Sequence, residues 1–177
     1  MTDAGPWTSV SMPYVSGHRG DTWGTEAAEH GGMGTQKLLS VDEVAASAAV
    51  ADMLGLAAGE PVVARRRLML FNDHPVELVD SYYPVNIARG TRLAEHRKIP
   101  GGAVALLADL GHRPRRVRED VSARLATPHE RTTLELNDPS CVLLLVRLLL
   151  AGDERPVEAS VMTMVADGRR LRYELTP

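Results

Sequence analysis

Four arginines stand where strands should be apolar. Arg65, Arg66 and Arg67 lie inside VVARRRLML, and Arg147 interrupts CVLLLVRLLL. A guanidinium turned toward a covered sheet face must find an acceptor, which is either a carboxylate of the chain or the carboxylate or phosphate of a bound molecule. The internal acceptors on offer are Glu77, Asp80 and Glu158. Strand alternation sets Glu158 on one face with Ser160, and Glu77 on one face with Val79 and Ser81. A pocket lined by arginine, by Glu158 and Ser160 or Glu77 and Ser81, and by Tyr82 or Tyr83 as a ring wall or hydroxyl suits a small polar or acidic molecule. On residue types alone, internal ion pairs and ordinary strand aromatics remain open beside ligand binding.

Other chemistry is poorly supplied. The six histidines, His18, His30, His74, His96, His112 and His129, show no close helical pairing of the kind that binds a metal. Ser160 lacks the glycine elbow of a hydrolase, and no glycine-rich phosphate loop occurs. Neither a metal nor a cofactor is expected. HRPRRVR, residues 112–118, is the one dense basic run, and acidic Glu119 and Asp120 follow it directly. It reads as solvated charge on a strand edge, which discourages stray pairing.

The elements that must position these groups are two hairpins. Residues 62–84 form two apolar-leaning runs around Asn72-Asp73-His74, and residues 141–164 repeat the pattern around Ala151-Gly152-Asp153. Leu54, Leu56, Val62, Arg67 and Asp73 recur 80 positions later as Leu134, Leu136, Val142, Arg147 and Asp153, and Pro75-Val76-Glu77 recurs as Pro156-Val157-Glu158. A helix, connector and hairpin built twice predicts helices on one face of a largely antiparallel sheet, an α+β domain.

Between and around the hairpins the reading is as follows. Residues 1–37, rich in Gly, Ser, Thr and His, predict an extended N-terminal arm or linker lying on the body through Trp7, Tyr14 and Trp23. Ser40 or Asp42 caps a helix running to Leu54, stopped by Gly55. Residues 85–100 are irregular or briefly helical, and a short apolar helix follows Gly101-Gly102 and closes at Gly111. Alternating Val117, Glu119, Val121 and Ala123 make a strand. Thr127, Pro128 and Glu130 form a capping box for a helix to Leu134. Asp167-Gly168 turns the chain into a last strand, Arg170 to Leu175, that closes the sheet.

A chain of 177 residues with 44% apolar and 24% charged residues builds one sizeable core, and a net charge of -3 argues against a grip on a nucleic acid backbone. Lone Cys141, opening an apolar run, reads as buried filler and excludes an intrachain disulfide, which agrees with a reduced, cytoplasmic setting. No stretch has the length of a membrane span.

Two phrases then carry a resemblance: VADMLGLAAGEPVVARRRLMLFNDHPVELVDSYYP, and GGAVALLADLGHRPRRVREDVSARLATPHERTTLELNDPSCVLLLVRLLLAGDERPVEASVMTMVADGRRLRYEL. In order and spacing the chain resembles the effector-binding UTRA domain of HutC-type regulators in the GntR family over residues 38–175. The resemblance implies a chorismate lyase-like fold, with an antiparallel sheet and helices around a ligand cleft in residues 38–177. By motif, Arg67 resembles the ligand-binding arginine of the first hairpin, and Ser81 and Tyr82 the hydroxyl residue and aromatic ending its second strand. Glu158 and Ser160 resemble a pocket-side pair, and Tyr173 the aromatic of the terminal strand. Met69, Val79 and Arg169 depart from the arginine, glutamate and aspartate common at these places, which implies a pocket less suited to phosphosugars.

The leading expectation is therefore a sensing and dimerisation domain of a bacterial transcriptional regulator, not an enzyme. It binds a small polar or acidic metabolite, pairs as a homodimer, and reaches DNA only through a winged helix-turn-helix domain absent from this chain. Two alternatives stand beside it: an enzyme of the chorismate lyase type, and a ligand-free dimerisation module whose arginines satisfy internal carboxylates.

Overall fold

The computed structural model describes residues 7–17 and 20–174. In chain order these form β1 (Trp7–Val10), α1 (Met12–Val15), α2 (Thr22–Glu29), β2 (Gly34–Ala45), α3 (Ala48–Leu54), β3 (Pro61–Phe71), β4 (His74–Pro84) and α4 (Val85–Ala88). A 3-10 turn at Arg92–Ala94 follows, then α5 (Gly102–Asp109), β5 (Pro114–Leu125), α6 (Pro128–Thr133), β6 (Cys141–Ala151), β7 (Pro156–Val165) and β8 (Arg169–Arg172).

Six strands make one antiparallel sheet in the order β2-β3-β4-β7-β6-β5. The predicted α+β class, a central antiparallel sheet with helices packed on it, is the observed one. Both hairpins lie where the sequence places them. In the first, Asn72 and Asp73 take positive φ of 48° and 65°, the two-residue turn whose twist matches the flanking strands. The two repeats meet at β4 and β7, so Ser81 of one faces Ser160 of the other.

The repeat is longer than the sequence reading made it. Gly34 and Pro114, where β2 and β5 begin, are 80 positions apart, as are Pro61 and Cys141, where β3 and β6 begin. The unit is thus strand, helix and hairpin. This corrects the expected helix from Ser40 or Asp42: residues 34–45 are a strand paired with β3 along its length. Only Ala48–Leu54 is helical, with the Ser47 hydroxyl accepting from the Val50 amide at 3.4 Å. Pairing on a waiting sheet edge outweighs the modest helix propensity of the Asp, Glu and Ala residues there.

One sheet face is closed by α3 and α6. Val62, Leu148, Leu150 and Ala159 pack on Val50, Ala51 and Leu54, while Leu68, Leu70 and Val142 pack on Ala126 and Leu134. The other face carries Val63, Tyr83, Leu149 and Val157 against Val15, Ile87, Leu93, Ile99 and Leu107. Beside them Met69, Val79, Leu145, Met162 and Met164 lie under Trp23.

That second face shows what the described part of residues 1–37 does. Instead of an extended arm it supplies β1, α1, α2 and the start of β2. Trp23, 6% exposed, donates its indole N–H to the carbonyls of Thr35 and Leu70 at 3.0 and 3.1 Å. Trp7 stacks on Trp23 and His30, with ring centroids 5.4 and 4.2 Å away. In a chain with one phenylalanine these rings are too large an apolar asset to leave in water. The last strand also departs from expectation. β8 does not join the main sheet, because both edges of β7 are taken by β4 and β6. It runs parallel to β1 in a separate two-stranded sheet; Leu175 lies outside the described residues. Cys141 is exposed at the start of β6, not buried.

Candidate functional site

Three consecutive arginines on β3 meet three different fates. Arg65 points to the second face, where one terminal nitrogen donates to the carbonyls of Leu93 and Glu95 at 2.8 Å and the other to that of Arg97 at 2.7 Å. It pins the segment after α4 to the sheet. Arg66 points to the opposite face and makes a half-exposed pair with Asp80 at 3.9 Å. Arg67 alone turns into a cavity of about 90 Å³ on the second face.

The cavity floor is β3, β4, β7 and β6. Arg67 Nη2 donates to Ser81 Oγ at 3.1 Å, the Ser81 and Ser160 hydroxyls are 2.8 Å apart, and Ser160 donates to Glu158 Oε1 at 2.7 Å. Because a carboxylate accepts only, the hydroxyl protons have one consistent order, running from Arg67 through Ser81 and Ser160 to Glu158. The network is incomplete at both ends: Arg67 Nε and Glu158 Oε2 are buried without a hydrogen-bond partner among the described residues. The rest of the floor is apolar, with Met69, Val79, Leu145, Met162 and Met164.

The roof comes from the N-terminal segment and β8. Ser9, Ser11, Tyr14, Trp23, Glu26 and Leu171 complete the cavity. Glu26 ties them together: Oε1 accepts from the Trp7 indole at 2.5 Å and from Ser9 Oγ at 2.6 Å, and Oε2 accepts from the Tyr14 hydroxyl at 2.5 Å. Arg169 lies 3.8 Å from Glu26, donates to Ser9 Oγ at 2.7 Å and sits over the Trp7 ring at 5.0 Å. Burial, then the Glu26 carboxylate, push the Tyr14 phenol well above its ordinary range. Beyond Arg67, Arg147 and Glu158 the cavity opens into a wider cleft of about 560 Å³, bordered by Gln36, Lys98 and the Pro100–Val104 stretch.

The structure brings Arg67, Arg147, Glu158 and Ser160 together in the cavity wall, with Ser81, fully buried, directly behind them. Arg147 does not reach in free: its Nε donates to Glu119 at 2.6 Å and its Nη2 to Ser11 at 3.3 Å. Tyr82 is a correction. It follows Ser81 on one strand, so it must face the other way, and it packs on the α3 side of the sheet. Tyr173 also stands outside the cavity. It lies just past β8, 49% exposed, and its phenol is pushed up by burial and a hydrogen bond with Glu119.

Sequence reasoning laid Trp7, Tyr14 and Trp23 on the body but did not place that segment over the cavity, and it missed the site roles of Glu119 and Glu77. The roof had a signal in Trp7, Tyr14 and Trp23, which crowd one end of an aromatic-poor chain. Glu119 had one too, since strand alternation around it is the pattern that places it opposite Arg147. Glu77 was visible only as a partner for an arginine. In the structure it is a cavity residue, 8% exposed, with no hydrogen bond or ion pair among the described residues. Burial raises its carboxyl, Arg169 opposes this, and Glu26 raises it further. The described residues hold no cluster of His, Cys, Asp and Glu with metal-binding geometry.

Comparison with known proteins agrees with this architecture. Residues 30–169 match the UTRA domain. An uncharacterized HTH-type transcriptional regulator of Streptomyces coelicolor, SCO4628, is 34% identical over 125 residues, covering 69% of this chain and 46% of its own length. The chain spans about half the length of the curated relatives it matches. The effector domain of PhnF from Mycobacterium smegmatis shares the fold with a TM-score of 0.74 at 18% identity, over 88% of this chain and 95% of that one. A GntR-family regulator from Bacillus cereus does so with a TM-score of 0.70 at 16% identity, over 81% and 99%. With its sheet, its roofed cavity and this match in hand, the chain belongs to the UTRA domain family of transcriptional regulators.

Proposed function

We propose that this domain senses a small polar or acidic metabolite and passes its occupancy to a DNA-binding domain, attached or partnered, within a cytoplasmic homodimer of the HutC type. The observation that carries the reading is the interrupted network in the cavity. Arg67 Nε and Glu158 Oε2 are buried without partners, and leaving such groups unpaired costs roughly 1–3 kcal/mol each, more when charged. A bound molecule that supplies a partner to either group recovers that part of the cost. Binding without turnover fits relatives that are transcriptional regulators, and a domain spanning half their length leaves room for the DNA-reading part. The dimer is supported by β5, a sheet edge with Val117, Val121 and Leu125 exposed. Among the described residues no helix is long and apolar enough to cross a membrane.

Native mass spectrometry of the protein after incubation with a cell metabolite extract tests this. The expected result is a dimer carrying a small-molecule mass, with the adduct lost in Arg67→Met while circular dichroism is unchanged. A protein that takes up no ligand and gains no thermal stability from the extract overturns the sensing reading. Sequence-specific DNA binding by this chain alone overturns the division of labour.

A further inference from the structure

The inner end of the cavity is charged in a way the sensing reading alone does not explain. Three of the six ionic groups around the cavity, Arg147, Glu26 and Arg169, have charged protein partners. Arg147 is paired with Glu119 at 2.6 Å, and Glu26 takes hydrogen bonds from Trp7, Ser9 and Tyr14 with Arg169 3.8 Å away. What remains is one guanidinium, Arg67, and two carboxyls, Glu158 and Glu77. Glu158 is 7% exposed with Oε2 unpartnered, and Glu77 is 8% exposed with no hydrogen bond or ion pair among the described residues.

These groups lie apart along the floor. Glu77 is opposite Met164 at one end of the β4–β7 pairing, and Ser81 is opposite Ser160 toward the other, near Glu158; Arg67 stands opposite Val79 in the row between and reaches Ser81 with its Nη2. Apolar Val79, Met162 and Leu145 lie between. Arg67, Met69, Arg147 and Glu158 of the floor also border the wider cleft; Glu77 lines the inner chamber. A dianionic group entering this chamber would meet a single uncommitted guanidinium and come to rest near an unpaired carboxyl. A donor carrying positive charge meets a buried carboxyl with apolar Val79, Met162 and Met164 beside it and no hydrogen bond or ion pair from the described residues, which is where a charge-assisted hydrogen bond is strong.

Resting on the effector-binding reading above, we infer that the ligand is a small primary amine on a short apolar stem, its ammonium group set against Glu77 and an acceptor group, carboxylate or hydroxyl, set against Arg67. The ammonium gives Glu77 the donors it lacks, the stem lies along Val79 and Met162, and the acceptor completes Arg67 Nε. A short ω-amino acid or an amino alcohol has this form, and a phosphorylated sugar does not.

Isothermal calorimetry with two sets of probes tests this on the whole chain. The first set is β-alanine, γ-aminobutyrate, δ-aminovalerate and ethanolamine; the second is succinate, glutarate, adipate, inorganic phosphate and glucose phosphate. The expected result is binding from the amine set, none from the anion set, and a loss of about tenfold or more for the binding amine in Glu77→Gln. Binding from the anion set alone overturns the ammonium assignment and leaves the sensing domain standing. Uptake of no ligand from either set or from a metabolite extract overturns both. Amine binding unchanged in a folded Glu77→Gln overturns the place assigned to the ammonium, and the comparison of the two sets holds whether or not that variant folds.

Discussion

Arg65, Arg66 and Arg67 are one chemical type at three consecutive positions, and only their surroundings separate them. Substituting them in turn should give three different results. Arg65→Met removes a buried guanidinium that satisfies the carbonyls of Leu93, Glu95 and Arg97, and leaves those acceptors without donors. It should cost about 3 kcal/mol or more in urea unfolding. Arg66→Ala breaks a half-exposed pair with Asp80 at 3.9 Å and should fall within about 1 kcal/mol of the parent. Arg67→Met should leave the unfolding midpoint close to the parent and remove ligand uptake. A loss of stability at Arg67 as large as that at Arg65 would favour the purely structural role. Alternation along the strand was legible and separated Arg66 from its neighbours. It could not choose between Arg65 and Arg67, because that choice depends on what covers each end of the face. Tyr82 shows the opposite case: Ser81 and Tyr82 cannot share a face, and alternation alone was enough to exclude one of them.

At the scale of elements, the hairpins, the capping box of α6 and the short helix α5 were readable because each is encoded locally. Strand β2 was not, since its Asp, Glu and Ala content is that of a helix and its pairing partner is distant. The repeat held the missing information, because an 80-residue shift lays β2 on β5, which was recognised as a strand. The close packing of α2 on β2 gives a test of the observed arrangement. A Cβ added at Gly34 would lie 2.8 Å from both the Trp23 carbonyl oxygen and the Ala27 Cβ. Gly34→Ala should therefore cost about 1–3 kcal/mol, measured by thermal or urea unfolding; an extended arm would leave the substitution neutral. The α6 cap makes a second test. Hydrogen bonds from Arg124 and from Thr127 hold the Glu130 carboxyl down to about 2 against the opposing effect of burial. A carboxyl depressed on folding contributes stability that is complete above its unfolded value and is lost as pH falls through the folded one. Glu130→Gln should thus lower stability by about 1 kcal/mol at neutral pH, and the gap to the parent should close between about pH 4.5 and pH 2. A gap that persists at the acid end would place the cap's contribution elsewhere.

For the molecule as a whole, the decisive contact is the one that seats the N-terminal segment on the sheet. Glu26 holds the Trp7 indole, the Ser9 hydroxyl and the Tyr14 hydroxyl, and it lies 3.8 Å from Arg169, whose side chain is 4% exposed. Through Arg169 and the β1–β8 pairing it also fixes β8. Such a network resists the loss of one member more than its pairwise distances suggest, because each remaining group is left buried without its partner. Glu26→Ala should cost about 3–5 kcal/mol, most of it from the stranded Arg169 charge. Because Trp7 and Trp23 are the only tryptophans, the release of the roof should be visible directly as a red shift in fluorescence under native conditions. Amide exchange should rise in β1 and β8 while β3, β4, β6 and β7 stay protected, since both hairpins keep their partners. Ligand uptake should fall along with it, for Ser9, Ser11, Tyr14 and Trp23 form the cavity's roof. Unchanged fluorescence with full ligand uptake would mean that the aromatic stacking alone seats the segment. Glu26→Gln separates the two contributions: it keeps the hydrogen-bond acceptor and removes the charge, so a partial loss of stability with the roof still seated assigns the remainder to Arg169.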